Sequence, residues 1–310
     1  MVDSTTPVVS VIMITYLHES FIAEAINGVL MQKCDFDVEL IIADDCSPDI
    51  TKAVVESFKN HPNHRWIKYI RHETNKGMMD NFIWAISQAK GKFIALCEGD
   101  DYWTDTLKLQ KQVDFLEKNK QVICVTHNVE VVHCENKGYA FPGLANKLLN
   151  TRDILFERDY NYLPTGSYVF RKSFFEANKS NLLQYVDFGD WPLIFQLSLF
   201  GDIYHMQDVM GVYRKHSGGY TALNRTSIQL RINNFYLTVG ILYPEYWHEC
   251  QTKMKMLENK IYIQREKELK SEDFMIYNNG LKKLFWIFLQ RCIFMFKTYF
   301  SSKIRKTNLK

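Results

Sequence analysis

The stretch Glu98-Gly99-Asp100-Asp101-Tyr102-Trp103 sets three carboxylates within four positions. Carboxylates this close repel one another, so a divalent cation, Arg or Lys partners, or hydrogen-bond donors must hold them. Mg²⁺ and Mn²⁺ prefer oxygen ligands and commonly bridge one or two carboxylates to a substrate's phosphates. The plainer alternative is a set of loop acids capping the next helix, although Thr104 or Asp105 already suits that job. Asp44-Asp45-Cys46-Ser47 offers a second acidic pair. It reads either as a turn or as a carboxylate that accepts an N–H from a base, with Tyr16 stacking beneath that base. Asp190, in Asp187-Phe188-Gly189-Asp190-Trp191, is either a helix N-cap stabilised by the dipole or a general base within reach of a hydroxyl. His216, just ahead of Gly218-Gly219, is a metal ligand on a closing loop or a surface histidine. Asn75-Lys76-Gly77 is a turn, or a phosphate contact through Lys76.

Positioning these groups requires a frame, and the first half of the chain supplies one. Strand-like runs at Val8–Tyr16, Val38–Ala43, Trp66–Ile70 and Lys92–Cys97 alternate with helical spacing at Glu19–Gln32, from Asp49 to about Asn60, and at Met78–Ala89. Continuous rather than alternating hydrophobicity predicts strands buried on both faces, as in a parallel sheet. Strand–helix alternation predicts a doubly wound α/β fold with ligands beyond the carboxyl ends of the strands. Thr15-Tyr16, Asp44-Asp45 and Asp100-Asp101 all fall at such ends. Beyond Thr104 the pattern predicts a helix to about Asn119 and a strand over Val122–Val132. It continues with a loop over Pro142–Arg152, a strand over Leu163–Arg171, a helix over Asp190–Phe200 and short strands within residues 202–216.

Composition narrows the classes. Residues 1–220 carry 22 Lys/Arg against 28 Asp/Glu, whereas residues 221–310 carry 16 against 7. A basic tail on an acidic body suggests an anionic partner surface. Seven cysteines, none in a C-x-x-C pair, indicate neither a zinc site nor a disulfide framework. Residues 1–7 lack a basic n-region, which predicts no secretory signal and a cytoplasmic protein.

Taken together, these residues resemble glycosyltransferase family 2, the inverting nucleotide-sugar transferases with the GT-A fold. The likeness runs over residues 8–220 and rests on Val9–Tyr16, Ile41-Ile42-Ala43-Asp44-Asp45-Cys46-Ser47, Asn75-Lys76-Gly77, Glu98–Trp103 and Gly189-Asp190-Trp191. It implies a GT-A, Rossmann-like, mostly parallel sheet flanked by helices over residues 1–225, with a basic helical extension over 226–310. It further implies Thr15, Tyr16, Asp45, Lys76, Asp100 and Trp191 as substrate contacts, with Tyr16 on the base, Asp45 at its edge and Asp100 near the ribose. Asp101, with His216, would hold Mn²⁺ or Mg²⁺, and Asp190 would be the base. The expected substrates are a UDP-sugar donor and a carbohydrate or lipid-linked acceptor, in cell-surface polysaccharide synthesis. Two departures stand out: Glu98 replaces the first acid of the DxD region, and Cys46 replaces the usual glycine, which suggests a turn that avoids positive φ.

Residues 281–296 are apolar but interrupted by Lys282, Lys283, Gln290 and Arg291, too polar for a span of roughly 20 residues. They suit either an interfacial helix on anionic lipid, at the inner face of the cell membrane, or a helix docked on protein. Nucleic acid is disfavoured by the acidic crevice. A nucleotidyltransferase would show a Gly-rich, basic loop after the first strand, which Thr15-Tyr16-Leu17-His18-Glu19 lacks. A non-catalytic sugar-nucleotide-binding scaffold would have no use for Asp190.

Overall fold

The computed structural model describes residues 6–133, 143–158, 161–174, 182–219 and 225–264. Apolar, β-branched runs form four parallel strands: β1 (Val9–Thr15), β2 (Val38–Asp44), β3 (Ile67–Arg71) and β4 (Phe93–Leu96). Three helices cross between them, α1 (Ile22–Leu30), α2 (Thr51–Glu56) and α3 (Met78–Ser87). β2 is buried along its whole length, as continuous hydrophobicity requires of a strand covered on both faces.

Five more strands extend the same sheet: β5 (Tyr102–Trp103), β6 (Val122–His133), β7 (Lys147–Leu149), β8 (Val169–Arg171) and β9 (Asp202–Lys215). The order is β3-β2-β1-β4-β8-β6-β9-β5, with β7 also on β9. From β1 the chain winds outward through β2 to β3, then returns to the other side of β1 to place β4. This reversal is a topological switch point, where the loops at the carboxyl ends part and leave a crevice. β8 then pairs antiparallel with both β4 and β6. Helices α4 (Lys108–Lys118), α5 (Thr151–Phe156) and α6 (Asp190–Ser198) complete the layers.

Three expectations are corrected here. The supposed loop over 142–152 contains β7 and the start of α5, whose Asn150 forms a capping box with Asp153. Only Val169–Arg171 of the 163–171 run is strand; a 3₁₀ turn at Thr165–Ser167 precedes it. The short strands expected within 202–216 are one strand of 14 residues. Its polar Gln207-Asp208 interruption coincides with a register shift against β6, so a bulge rather than a chain break absorbs it.

The core packs β1, β2 and β4 against α1 and α4, around Val11, Met13, Ile26, Leu40, Leu109 and Val113. Gly28 lets α1 approach β5 closely, because a Cβ there would lie 2.7 Å from the Trp103 backbone nitrogen. The chain forms two compact units, Met1–Leu183 with Phe188–Ala222, and Gln184–Asp187 with Leu223–Lys310. The described part of the second holds helices α7 (Arg225–Leu242) and α8 (Trp247–Gln264). The 281–310 tail lies outside the described residues, among which no helix is long and apolar enough to cross a membrane.

Candidate active site

Backbone pairing carries the acidic stretch along the end of β1. Cys97 N donates to Ile12 O at 3.0 Å and Gly99 N to Ile14 O at 3.1 Å, which brings Gly99 beside Thr15. β5 then pairs with β9, and Trp103 Nε1 donates to Gly166 O at 2.8 Å. Beneath it, the buried Lys108 Nζ lies 3.9 Å from the centre of the Trp103 ring and donates to Gln112 Oε1 at 2.8 Å. Gln112 Nε2 in turn donates to Val125 O and Ser167 O. The acidic turn therefore rests on a packed polar base, not on a free loop.

One oxygen from each of Glu98, Asp100 and Asp101 lies within 4.8 Å of the others. Asp101 is 5% exposed and accepts Arg214 N at 2.8 Å. Burial, reinforced by Asp100, pushes its carboxyl well above the usual range. Burial and then the charges of Asp100, Asp101 and Asp190 do the same to Glu98. At Asp100 burial also opposes ionisation, but the hydrogen bond with His216 and the nearby His18 prevail and lower its pKa. His216 Nε2 sits 3.0 Å from Asp100 Oδ2, and His18 Nε2 sits 3.9 Å from the same oxygen. The Arg214 guanidinium is spent elsewhere: it donates to the Asp100 carbonyl at 2.7 Å and pairs with Glu24. Carboxylate oxygens and imidazole nitrogens are thus gathered within a few ångströms, the combination that a divalent ion such as Mn²⁺ accepts. The residues fit such an ion.

The β1/β2 side of the crevice is shaped by backbone amides. Asp45 accepts Lys76 N at 2.7 Å through Oδ1 and Gly77 N at 2.9 Å through Oδ2. Asp44 accepts Ser47 N and the Tyr69 hydroxyl. Cys46 corrects an expectation: its φ is +65°, so the turn does take the left-handed conformation. The Asp44–Ser47 bond and a Cys46 Sγ contact to Glu73 O at 3.4 Å hold it there.

Asp190 opens α6, where Asn161 Nδ2 donates to its Oδ2 at 2.7 Å. Burial raises its pKa, against the opposing pull of that hydrogen bond. Asn161 Nδ2 also donates to the Tyr168 hydroxyl at 2.9 Å, Tyr168 O accepts Leu96 N at 3.0 Å, and the charge of Asp190 reaches Glu98, so the acid lies near the acidic turn.

The expected site residues are therefore distributed as follows. Tyr16 is 42% exposed at the end of β1 and Thr15 is buried beside it. Asp45 lies next to the exposed Lys76 through the backbone contact. His216 meets Asp100 rather than Asp101. Trp191 is 1% exposed and donates Nε1–H to Ile154 O at 2.9 Å, which anchors the start of α6 in the core. Sequence reasoning missed Arg214, Asn161 and His18. Only His18, two residues past Tyr16 at a strand end, carried a positional signal.

Comparison with known proteins identifies the family and the fold. The family model described as glycosyl transferase family 2 matches residues 10–180. An uncharacterised protein of Mycobacterium tuberculosis is 35% identical over 213 residues, covering 68% of this chain and 59% of that protein. The chain thus spans less than two thirds of the length of that relative. EpsE of Bacillus subtilis, named as a glycosyltransferase, is 27% identical over 83% of this chain and 87% of its own. Among solved structures, Staphylococcus aureus TarS 1-349 in complex with UDP-GlcNAc superposes with a TM-score of 0.62 at 18% identity, over 90% of this chain and 81% of that one. The mannosyltransferase PcManGT of Pyrobaculum calidifontis, in complex with GDP-Man and Mn²⁺, gives 0.54 at 14% identity, over 93% and 87%. These structural likenesses show the GT-A fold. With the family model matching more than half of its residues, the chain belongs to glycosyltransferase family 2.

Proposed function

We propose that this protein is an inverting, metal-dependent glycosyltransferase that moves a sugar from a nucleoside diphosphate sugar, a UDP-sugar in the first instance, to an acceptor hydroxyl. The observation that carries the reading is Asp190, a carboxylate made more basic by burial and set near the acidic turn. An ordinary aspartate is a weak base, and raising its pKa brings it nearer the range in which it can take a hydroxyl proton. Asn161 holds one of the Asp190 oxygens in place.

Tyr16 offers a face to the base, and the Asp45 cradle shapes the loop carrying Lys76 toward the phosphates. Asp100, rather than the expected Asp101, would hold Mn²⁺ or Mg²⁺ with His216, because it is Asp100 that His216 meets while Asp101 accepts Arg214 N. When bound, the ion would offset the charge that accumulates on the leaving diphosphate. Asp190 takes the acceptor proton as the acceptor oxygen forms its bond to the anomeric carbon. The bond to the leaving oxygen breaks on the opposite face, its electron pair departing with the nucleoside diphosphate, and the configuration inverts. The names of TarS, a poly(ribitol-phosphate) β-N-acetylglucosaminyltransferase, and of TuaG, in teichuronic acid biosynthesis, support a cell-surface polysaccharide acceptor, free or lipid-linked. The basic 281–310 tail supports contact with an anionic membrane surface.

Asp190→Asn tests the assignment. The variant should keep its thermal stabilisation by UDP with Mn²⁺ and lose transfer by at least about 100-fold, the range of general-base contributions. Unchanged turnover would remove Asp190 from the mechanism. Absence of stabilisation of the wild type by any nucleoside diphosphate would remove the donor site.

A further inference from the structure

We propose that His18 is a third ligand of the divalent ion, joining Asp100 and His216 in a two-histidine, one-carboxylate set; the inference rests on the metal-dependent reading above. Two donors each about 2.1 Å from one ion lie about 3.0 Å apart at a right angle and about 4.2 Å apart when opposite. Asp100 Oδ2 lies 3.0 Å from His216 Nε2 and 3.9 Å from His18 Nε2. One ligand atom from each of the three residues falls within 4.8 Å of the others. A single ion can therefore bind all three with shifts of a few tenths of an ångström.

The chain goes to some length to put His18 there. Leu17, immediately before it, has φ +60°, a conformation that costs a branched residue about 1–2 kcal/mol. The Leu17 N–H is tied to Ser47 Oγ at 3.1 Å, so the turn is held by the loop after β2 rather than free to relax. A Cβ at Gly99 would lie 2.9 Å from His18 Nδ1 and 2.9 Å from Thr15 Oγ1, so glycine in the acidic turn leaves room for both side chains. Phe21 packs against both imidazoles, with centroids 4.6 Å from His216 and 6.3 Å from His18. A strained backbone, a missing side chain and an aromatic wedge all serve one placement, and backbone strain of this kind collects at functional sites.

Two imidazoles also shift the choice of ion. Nitrogen ligands favour Mn²⁺, Co²⁺ and Zn²⁺ relative to Mg²⁺, which prefers oxygen. His18 would thus make the site one for transition metals.

Pulsed electron paramagnetic resonance of the full chain loaded with Mn²⁺ and UDP tests this, using ¹⁵N-histidine to assign the couplings. The wild type should show two coupled imidazole nitrogens, and His18→Gln and His216→Gln one each. The His18→Gln variant should also bind Mn²⁺ at least about 10-fold more weakly, with a smaller change for Mg²⁺. His18→Asn serves as a second variant should the first not fold. A single nitrogen in the wild type that persists in His18→Gln and vanishes in His216→Gln overturns the role of His18 and leaves the metal-dependent reading standing. Failure of the wild type to bind Mn²⁺ overturns both.

Discussion

At the scale of single residues, the site combines groups whose ordinary preferences have been overridden. Cys46 holds a left-handed backbone that glycine adopts freely, and the hydrogen bonds of Asp44 and Ser47 around it keep it there. Cys46→Gly should therefore raise stability by about 0.5–1 kcal/mol, read as a higher urea midpoint at unchanged slope. A loss instead would mean that the thiol contact with Glu73 outweighs the strain. The types of the acidic residues were legible because Asp and Glu crowded at strand ends have few structural uses. Their partners were not. Arg214 and His216 lie 113 and 116 residues from the acids they meet, and no local spacing encodes such pairings.

At the scale of elements, Lys108 is the anomaly: a buried ammonium at the start of α4, over the Trp103 ring. Burial lowers its pKa from 10.5 to about 7. Between those values the unfolded chain binds more protons than the folded one, so its contribution to stability rises with pH across that window. Urea midpoints from pH 7 to 10 should climb in the wild type and show a smaller rise in Lys108→Met, with the variant gaining most near pH 7. Equal slopes would place the charge in solvent. The four parallel strands and their helices followed from continuous apolar runs and 3.6-residue spacing, and their ends came within a few residues. β7, the 3₁₀ turn at Thr165–Ser167 and the single β9 did not follow, since a three-residue strand has too few residues for a period. A bulge also looks like a break in hydrophobicity.

At the scale of the whole molecule, β9 is the strap of the first unit. It pairs with β5, β6 and β7, and it delivers Arg214 and His216 to the acidic turn. Contacts closing so much chain are expected to form after the rate-limiting step, because loop closure must precede their reward. Arg214→Met should then speed unfolding in stopped-flow denaturant jumps and leave refolding nearly unchanged. Slower refolding would move the strap into the nucleus. The same separation governs synthesis. A ribosome adding about 5–20 residues per second spends on the order of 6–20 s between Asp101 and Arg214. Throughout that interval the nascent chain has β1 to β4 in hand and an acidic turn tied to β1 and His18 but without Arg214 and His216. During translation, the site is among the last parts of the unit to come into being.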